Sequence, residues 1–139
     1  MILLDTSGLL AALDGKDPMH RRCADALQVA SESALVSPFV LAELDYLLRR
    51  QVGAPASSAL LDQVANGAYE LAPFGADDIA VAVTVLARYA DLDVGLTDAS
   101  IVVLALRHGV HDVLTLDERH FRALRGPGDR PFRILPADA

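Results

Sequence analysis

The chain has 139 residues, 53% hydrophobic and 22% charged; this length allows one continuous core without staples, and this composition excludes disorder and argues against a second domain. Nineteen acidic against twelve basic residues give a formal net charge of −7, the reverse of the basic footprint of a nucleic-acid binder. Cys23 is the single cysteine, which excludes an internal disulfide and a cysteine-based zinc framework; with no apolar stretch long enough for a bilayer and no basic leader before Asp5, a cytoplasmic protein with no membrane partner is expected.

In chain order, Ile2-Leu3-Leu4 reads as a short buried strand, Asp5-Thr6-Ser7-Gly8 as a polar turn and Leu9 to Leu13 as a small apolar helix. Asp17-Pro18 is a helix-start pair, N-cap followed by first helical position, for a helix running to about Ser33. Ala34-Leu35-Val36 is a second strand. Ser37-Pro38 opens a helix whose Val40, Leu41, Leu44, Leu47 and Leu48 keep helical spacing until Gly53. A helix over Pro55 to Ala65, a strand at Tyr69 to Ala72 and helices over Ala76 to Tyr89 and Thr97 to His108 follow, the last stopped by Gly109. Asp112 to Leu116 is a fourth strand, Asp117 to Leu124 a short helix and Phe132 to Leu135 a fifth strand. Short apolar strands alternating with amphipathic helices predict a single α/β domain over residues 1–139 with a mainly parallel sheet.

Ligands of an open parallel sheet bind beyond the carboxyl ends of its strands, where the strand order reverses. Asp5 ends the first strand and Asp117 follows the fourth, so neighbouring strands would bring the two acids into one crevice; each alone also suits a helix N-cap. Glu43 lies within or beside the apolar stripe of its helix, where a carboxylate needs a partner or a metal. Asp45 lies on the other side of that helix, four residues before Arg49, and reads as a solvated ion pair. Asp98 opens a helix in which Ile101, Val102 and Ala105 share its face, with Thr97 the expected cap. Asp93 is a loop acid that could stand at the edge of such a site. Acids gathered without a counter-ion repel and take up protons, which a divalent cation prevents; carboxylate ligands select Mg²⁺ or Mn²⁺ over zinc. His108 and His111 form a weak pair, and His20 and His120 are expected to face solvent.

Met-Ile-Leu-Leu-Asp5-Thr6-Ser7, Ser37-Pro38-Phe39-Val40-Leu41-Ala42-Glu43-Leu44, Leu96-Thr97-Asp98-Ala99-Ser100-Ile101-Val102 and Leu114-Thr115-Leu116-Asp117-Glu118-Arg119-His120-Phe121 resemble, in order and spacing over essentially the whole chain, the PIN-domain ribonucleases, and within them the VapC-type toxins of bacterial toxin–antitoxin pairs. The resemblance implies a three-layer α/β/α sandwich with about five short strands. It also implies endonucleolytic, Mg²⁺-dependent cleavage of RNA by metal-activated water, a homodimer and a small antitoxin partner. Asp5, Glu43, Asp98 and Asp117 are then the acidic quartet, with Thr6 or Ser7 orienting a water or an acid. Asp117 corresponds to the family's most variable acid.

Other chemistries fit less well. A haloacid-dehalogenase-type phosphatase needs a second Asp where Ser7 stands, a receiver domain needs a late lysine whereas the only lysine is Lys16, and no Gly-rich phosphate loop is present. A catalytically silent PIN-fold binding module and a DNA-directed nuclease remain as alternatives. Eleven of the twelve basic residues are arginines; Arg119 and Arg122 lie beside the Asp117 block, where they could contact phosphates. Leu47, Leu48, Leu60 and Leu61 offer helix surface for the core or for a partner.

Overall fold

The structure, a computed structural model, describes residues 1–30 and 33–139. The apolar triplets Ile2–Leu4 (β1) and Ala34–Val36 (β2) are buried on both faces, as the strands of a covered parallel sheet must be. The sheet continues with Glu70–Leu71 (β3), Asp112–Leu114 (β4) and Arg133–Leu135 (β5), all parallel in the order β3-β2-β1-β4-β5. β3, two exposed residues long, is a minimal edge. Seven α-helices link the strands among the described residues: Thr6–Leu13 (α1), His20–Val29 (α2), Pro38–Gln51 (α3), Ala54–Ala65 (α4), Ala76–Arg88 (α5), Leu96–His108 (α6) and Glu118–Ala123 (α7). Right-handed crossovers put α1 to α4 on one face of the sheet and α5 to α7 on the other, the expected three-layer α/β arrangement. The chain turns from building leftward to building rightward between β1 and β4, so the switch point lies where Asp5 and Asp117 were expected to meet.

The boundaries differ from expectation where local hydrogen bonds begin or end an element elsewhere. The helix after β1 starts at Thr6, three residues early, because Leu9 N–H already donates to Asp5 O at 3.0 Å. α2 starts at His20, after a turn in which Asp17 Oδ1 accepts from Met19 N–H at 2.8 Å in place of the expected cap with Pro18. The expected end of that helix includes Ser31 and Glu32, which lie outside the described residues. β4 stops at Leu114, two residues early, since Thr115 and Leu116 enter the turn to α7. Ser37 caps α3 as expected, accepting from Phe39 N–H at 3.2 Å, while Gly109 ends α6 at φ 67°. No described helix is long and apolar enough to cross a membrane.

The core runs through β1, β2, β4 and the inner faces of α1, α3 and α6. Leu48 and Leu60 belong to it, whereas Leu61 is exposed. Phe121 on α7 is fully buried edge-on against Phe132, ring centroids 5.8 Å apart, which anchors that short helix beside β5. α1 approaches the end of β4 so closely that a Cβ on Gly8 would lie 2.4 Å from Leu114 O and 2.8 Å from Thr115 N. Both obstacles are backbone, so α1 cannot sit here with any larger residue. Gly8→Ala is expected to cost ~3 kcal/mol, the upper end for overpacking, read as a lower urea midpoint; an unchanged midpoint would show that the helix has room to move.

Candidate functional site

Asp5 occupies the N-cap position of α1 but makes no side-chain cap. Its carboxylate Oδ2 instead accepts from Ser7 Oγ at 2.9 Å and Thr115 Oγ1 at 2.6 Å. Thr115 Oγ1 also accepts from Asp117 N–H, and Ser7 Oγ from Leu116 N–H, each at 2.9 Å. Two hydroxyls therefore join the end of β1 to the turn after β4. At 5% exposure, burial pushes the Asp5 carboxyl above the usual carboxylate range; the Thr115 and Ser7 hydroxyls oppose the rise and the charge of Asp117 adds to it.

Asp117 is a true N-cap of α7, its Oδ1 accepting from His120 N–H at 3.1 Å. Asp98 lies in the first turn of α6, whose cap is Gly95 and not Thr97. Burial, reinforced by the negative charge of Asp5 and partly offset by His120, pushes the Asp98 carboxyl up to about 6, with Asp117 adding to the rise. Thr97 Oγ1 instead donates to Glu43 Oε2 at 3.3 Å. Ser100 donates to Thr97 O at 2.6 Å and lies 2.7 Å from Ser37 Oγ, so a buried hydroxyl pair ties the start of α6 to the start of α3.

Asp5, Glu43, Asp98 and Asp117 all line one cavity of about 460 Å³, together with Thr6, Ser7, Leu47 and His120. Glu43 reaches it from α3 but is exposed, not held in the apolar stripe, because the α3 stripe runs through Val40, Leu44 and Leu48. Asp45, read as a solvated pair with Arg49, is half-buried and accepts from Ser57 of α4. Asp93 is exposed, at φ 55°, and lines no part of the cavity. Thr6 Oγ1 is buried at the cavity without a hydrogen-bond partner. A second cavity of about 490 Å³ lies by Met1, Val29 and the starts of β4 and β5, where Asp112 is already paired with Arg133.

Two of the histidines expected at the surface are not there. His20 Nδ1 lies 3.0 Å from Ala11 O and ties α2 to α1. His120 stands among the acids, its Nδ1 2.8 Å from Asp117 Oδ2 and 3.7 Å from Asp98 Oδ2. The Asp-x-x-His spacing held the signal, since positions i and i+3 share a helix face. Thr115 was the other omission, a polar residue closing an otherwise apolar strand. His111, by contrast, sets a loop, its Nε2 2.9 Å from Pro127 O. Arg119 is exposed and in no ion pair among the described residues, whereas the guanidinium of Arg122 is spent on Glu118 at 3.0 Å and Asp138 at 2.7 Å, which holds Asp138 down to about 2. That engagement removes the reason for grouping Arg122 with Arg119 as a phosphate contact.

The site fits a divalent cation. Ligand atoms of Asp98, Asp117 and His120 lie within 4.8 Å of one another, Asp5 and Glu43 stand on the same cavity, and burial together with the nearby charge of Asp5 raises the Asp98 carboxyl, a cost that a bound cation would relieve.

The PIN domain family model matches residues 2–127. Ribonuclease VapC26 of Mycobacterium tuberculosis is 42% identical over 135 residues, spanning 97% of this chain and all of that protein. Among solved structures, M. tuberculosis VapC20, described as a Sarcin-Ricin loop cleaving toxin, superposes with a TM-score of 0.77 at 22% identity over 85% of this chain and 91% of its own. VapBC2 from Rickettsia felis, bound to a DNA fragment from its promoter, does so at 0.68 and 19% identity over 96% and 98%. At those identities the two structures speak to the fold.

Because Asp98 holds its proton up to about 6 when folded, against 3.8 ordinarily, the folded chain carries the extra proton between those values, and metal-free stability falls as pH rises through that window. Urea unfolding in chelator is expected to lose ~1–2 kcal/mol between pH 4.5 and 7, after allowance for solvent screening, and Asp98→Asn to shrink that loss. An equal loss in the variant would count against an uncompensated Asp98.

Proposed function

The chain belongs to the PIN-domain family, and on that premise we propose that it is a metal-dependent endoribonuclease, the toxin half of a toxin–antitoxin pair, acting in the cytoplasm as a single-domain homodimer held in check by a small antitoxin. The observation that carries the reading is the convergence of Asp5, Glu43, Asp98 and Asp117 on one cavity from β1, α3, α6 and the start of α7. Full-length similarity to a ribonuclease supports RNA as the substrate, and the similarity to VapBC assemblies supports an antitoxin partner.

The quartet would hold Mg²⁺ or Mn²⁺, the hard cations that carboxylate oxygens select. Such a cation supplies positive charge against the scissile phosphate and acidifies water in the site. The protein's own residues do the positioning. Ser7 and Thr115 fix Asp5, the Thr97 hydroxyl fixes Glu43, and the cap bond to the His120 N–H fixes Asp117. Thr6 Oγ1, buried and unpartnered at the cavity, is placed to orient a water. No side chain need act as a covalent nucleophile. The net charge of −7 then favours metal loading more than it opposes RNA, and Arg119, next to the cavity residue His120, supplies a phosphate contact.

Asp5→Asn and Asp98→Asn should each lower divalent-dependent cleavage of RNA on the order of 10³-fold, the equivalent of several kcal/mol of transition-state charge stabilisation, with circular dichroism unchanged. Activity retained in both would remove the quartet from the reaction. No cleavage of RNA by the parent protein would favour a silent binding module, and cleavage of single-stranded DNA alone a DNA nuclease. For binding, Arg119→Ala is expected to reduce the slope of log K against log salt by about 0.7, one phosphate contact on a single strand, and Arg122→Ala to leave it unchanged. An unaltered slope for Arg119→Ala would exclude it as a phosphate contact.

A further inference from the structure

We propose that His120 is itself a ligand of the cation, through Nδ1, so that the site is a mixed oxygen and nitrogen set that prefers Mn²⁺ to Mg²⁺. This rests on the metal-dependent reading above and adds to it a residue outside the acidic quartet.

The ring is placed by its neighbours. Asp117 caps α7 by accepting from the His120 N–H, which commits Oδ1 to backbone and leaves Oδ2 beside the imidazole. Phe121, fully buried against Phe132, fixes the rotation of α7 so that the next residue back faces the cavity. Nδ1 is buried and makes no hydrogen bond. Its 2.8 Å approach to Asp117 Oδ2 forms no hydrogen bond, unlike an imidazole serving only as a counter-ion, which would direct its N–H at the carboxylate. A buried ring nitrogen with no partner is a donor atom awaiting an acceptor of its lone pair.

The spacing suits coordination. Around an octahedral ion with ligand distances near 2.1 Å, adjacent ligand atoms lie about 3.0 Å apart and opposite ones about 4.2 Å. Nδ1 stands 2.8 Å from Asp117 Oδ2 and 3.7 Å from Asp98 Oδ2, so one ion can touch all three after small shifts. His20 and His111 are engaged with backbone oxygens elsewhere. The chemistry sets the preference, because Mg²⁺ keeps oxygen ligands and waters, whereas imidazole binds first-row transition cations more readily.

The test is pulsed electron paramagnetic resonance of the full chain loaded with Mn²⁺. The expected result is a ¹⁴N coupling of coordinated imidazole in the parent protein, absent in His120→Ala and in His120→Asp, the latter still binding Mn²⁺ through oxygen. Competition with Mg²⁺ is expected to show the Mn²⁺ preference falling about tenfold or more in His120→Asp. Bound Mn²⁺ without nitrogen coupling in the parent, or coupling that survives in His120→Ala, overturns the assignment of His120 and leaves metal dependence standing. Failure of the parent to take up Mn²⁺ at all, read from an undiminished free-ion signal, overturns both.

Discussion

Everything at the cavity depends on how closely α1 can lie against the end of β4. Only a glycine at position 8 permits the approach, with the backbone of Leu114 and Thr115 where a side chain would begin. The contact brings the Ser7 and Thr115 hydroxyls onto one oxygen of Asp5, and that makes burial of a carboxylate tolerable, since a buried charge without hydrogen bonds costs several kcal/mol. The β1–β4 pairing, through the Asp5 N–H to Leu114 O bond at 3.0 Å, sets the level at which this happens. A packing constraint between a helix and a strand thereby becomes an electrostatic one.

The second constraint is charge. Elsewhere several acids are paired with arginines: Asp78 with Arg107, which holds the Asp78 carboxyl below its usual range, Asp129 with Arg88, Asp112 with Arg133, and Glu118 and Asp138 with Arg122. Among the described residues no arginine enters the cavity of the quartet. Among the described residues lining it, His120 alone carries a side-chain nitrogen, and Asp98 is left with its proton up to about 6. Four carboxylates on one cavity repel a bare phosphate unless a cation stands between them.

How much of this the amino-acid order displayed can be argued residue by residue. Asp5 and Asp117 could be placed at one crevice because parallel strands and a switch point leave few alternatives. Glu43 and Asp98 stood out by their positions on helix faces, the parallel α/β sheet by the alternation of strands and helices, and the full-length resemblance to PIN-domain ribonucleases joined the four acids into one quartet within a three-layer sandwich. Glu43 was given the wrong environment, since its place at the edge of a helical stripe does not say whether the stripe's own helix or open water lies beyond it. His120 was read as solvent-facing although its spacing from Asp117 is local, because its approach to Asp98 joins distant elements; Thr115 finds Asp5 across 110 positions of the chain, and no local pattern marks that meeting. Asp45 misled for the same reason, its partner Ser57 lying on the next helix. Arg122 was legible as a charge but not as a spent one, because the acids that claim it include Asp138, sixteen residues away.

The strand order also bears on synthesis. β1 sits in the middle of the sheet and meets β4 only after residue 114 has been added. Asp5 therefore waits through the synthesis of more than a hundred residues for Thr115, Asp117 and His120. Chains fold from their N-terminal end as they emerge, yet here the leading half can build no more than β1, β2 and their helices, one wall of the cavity. Until β4 and the start of α7 have been made, the acids of β1 and α3 therefore have no cavity to share.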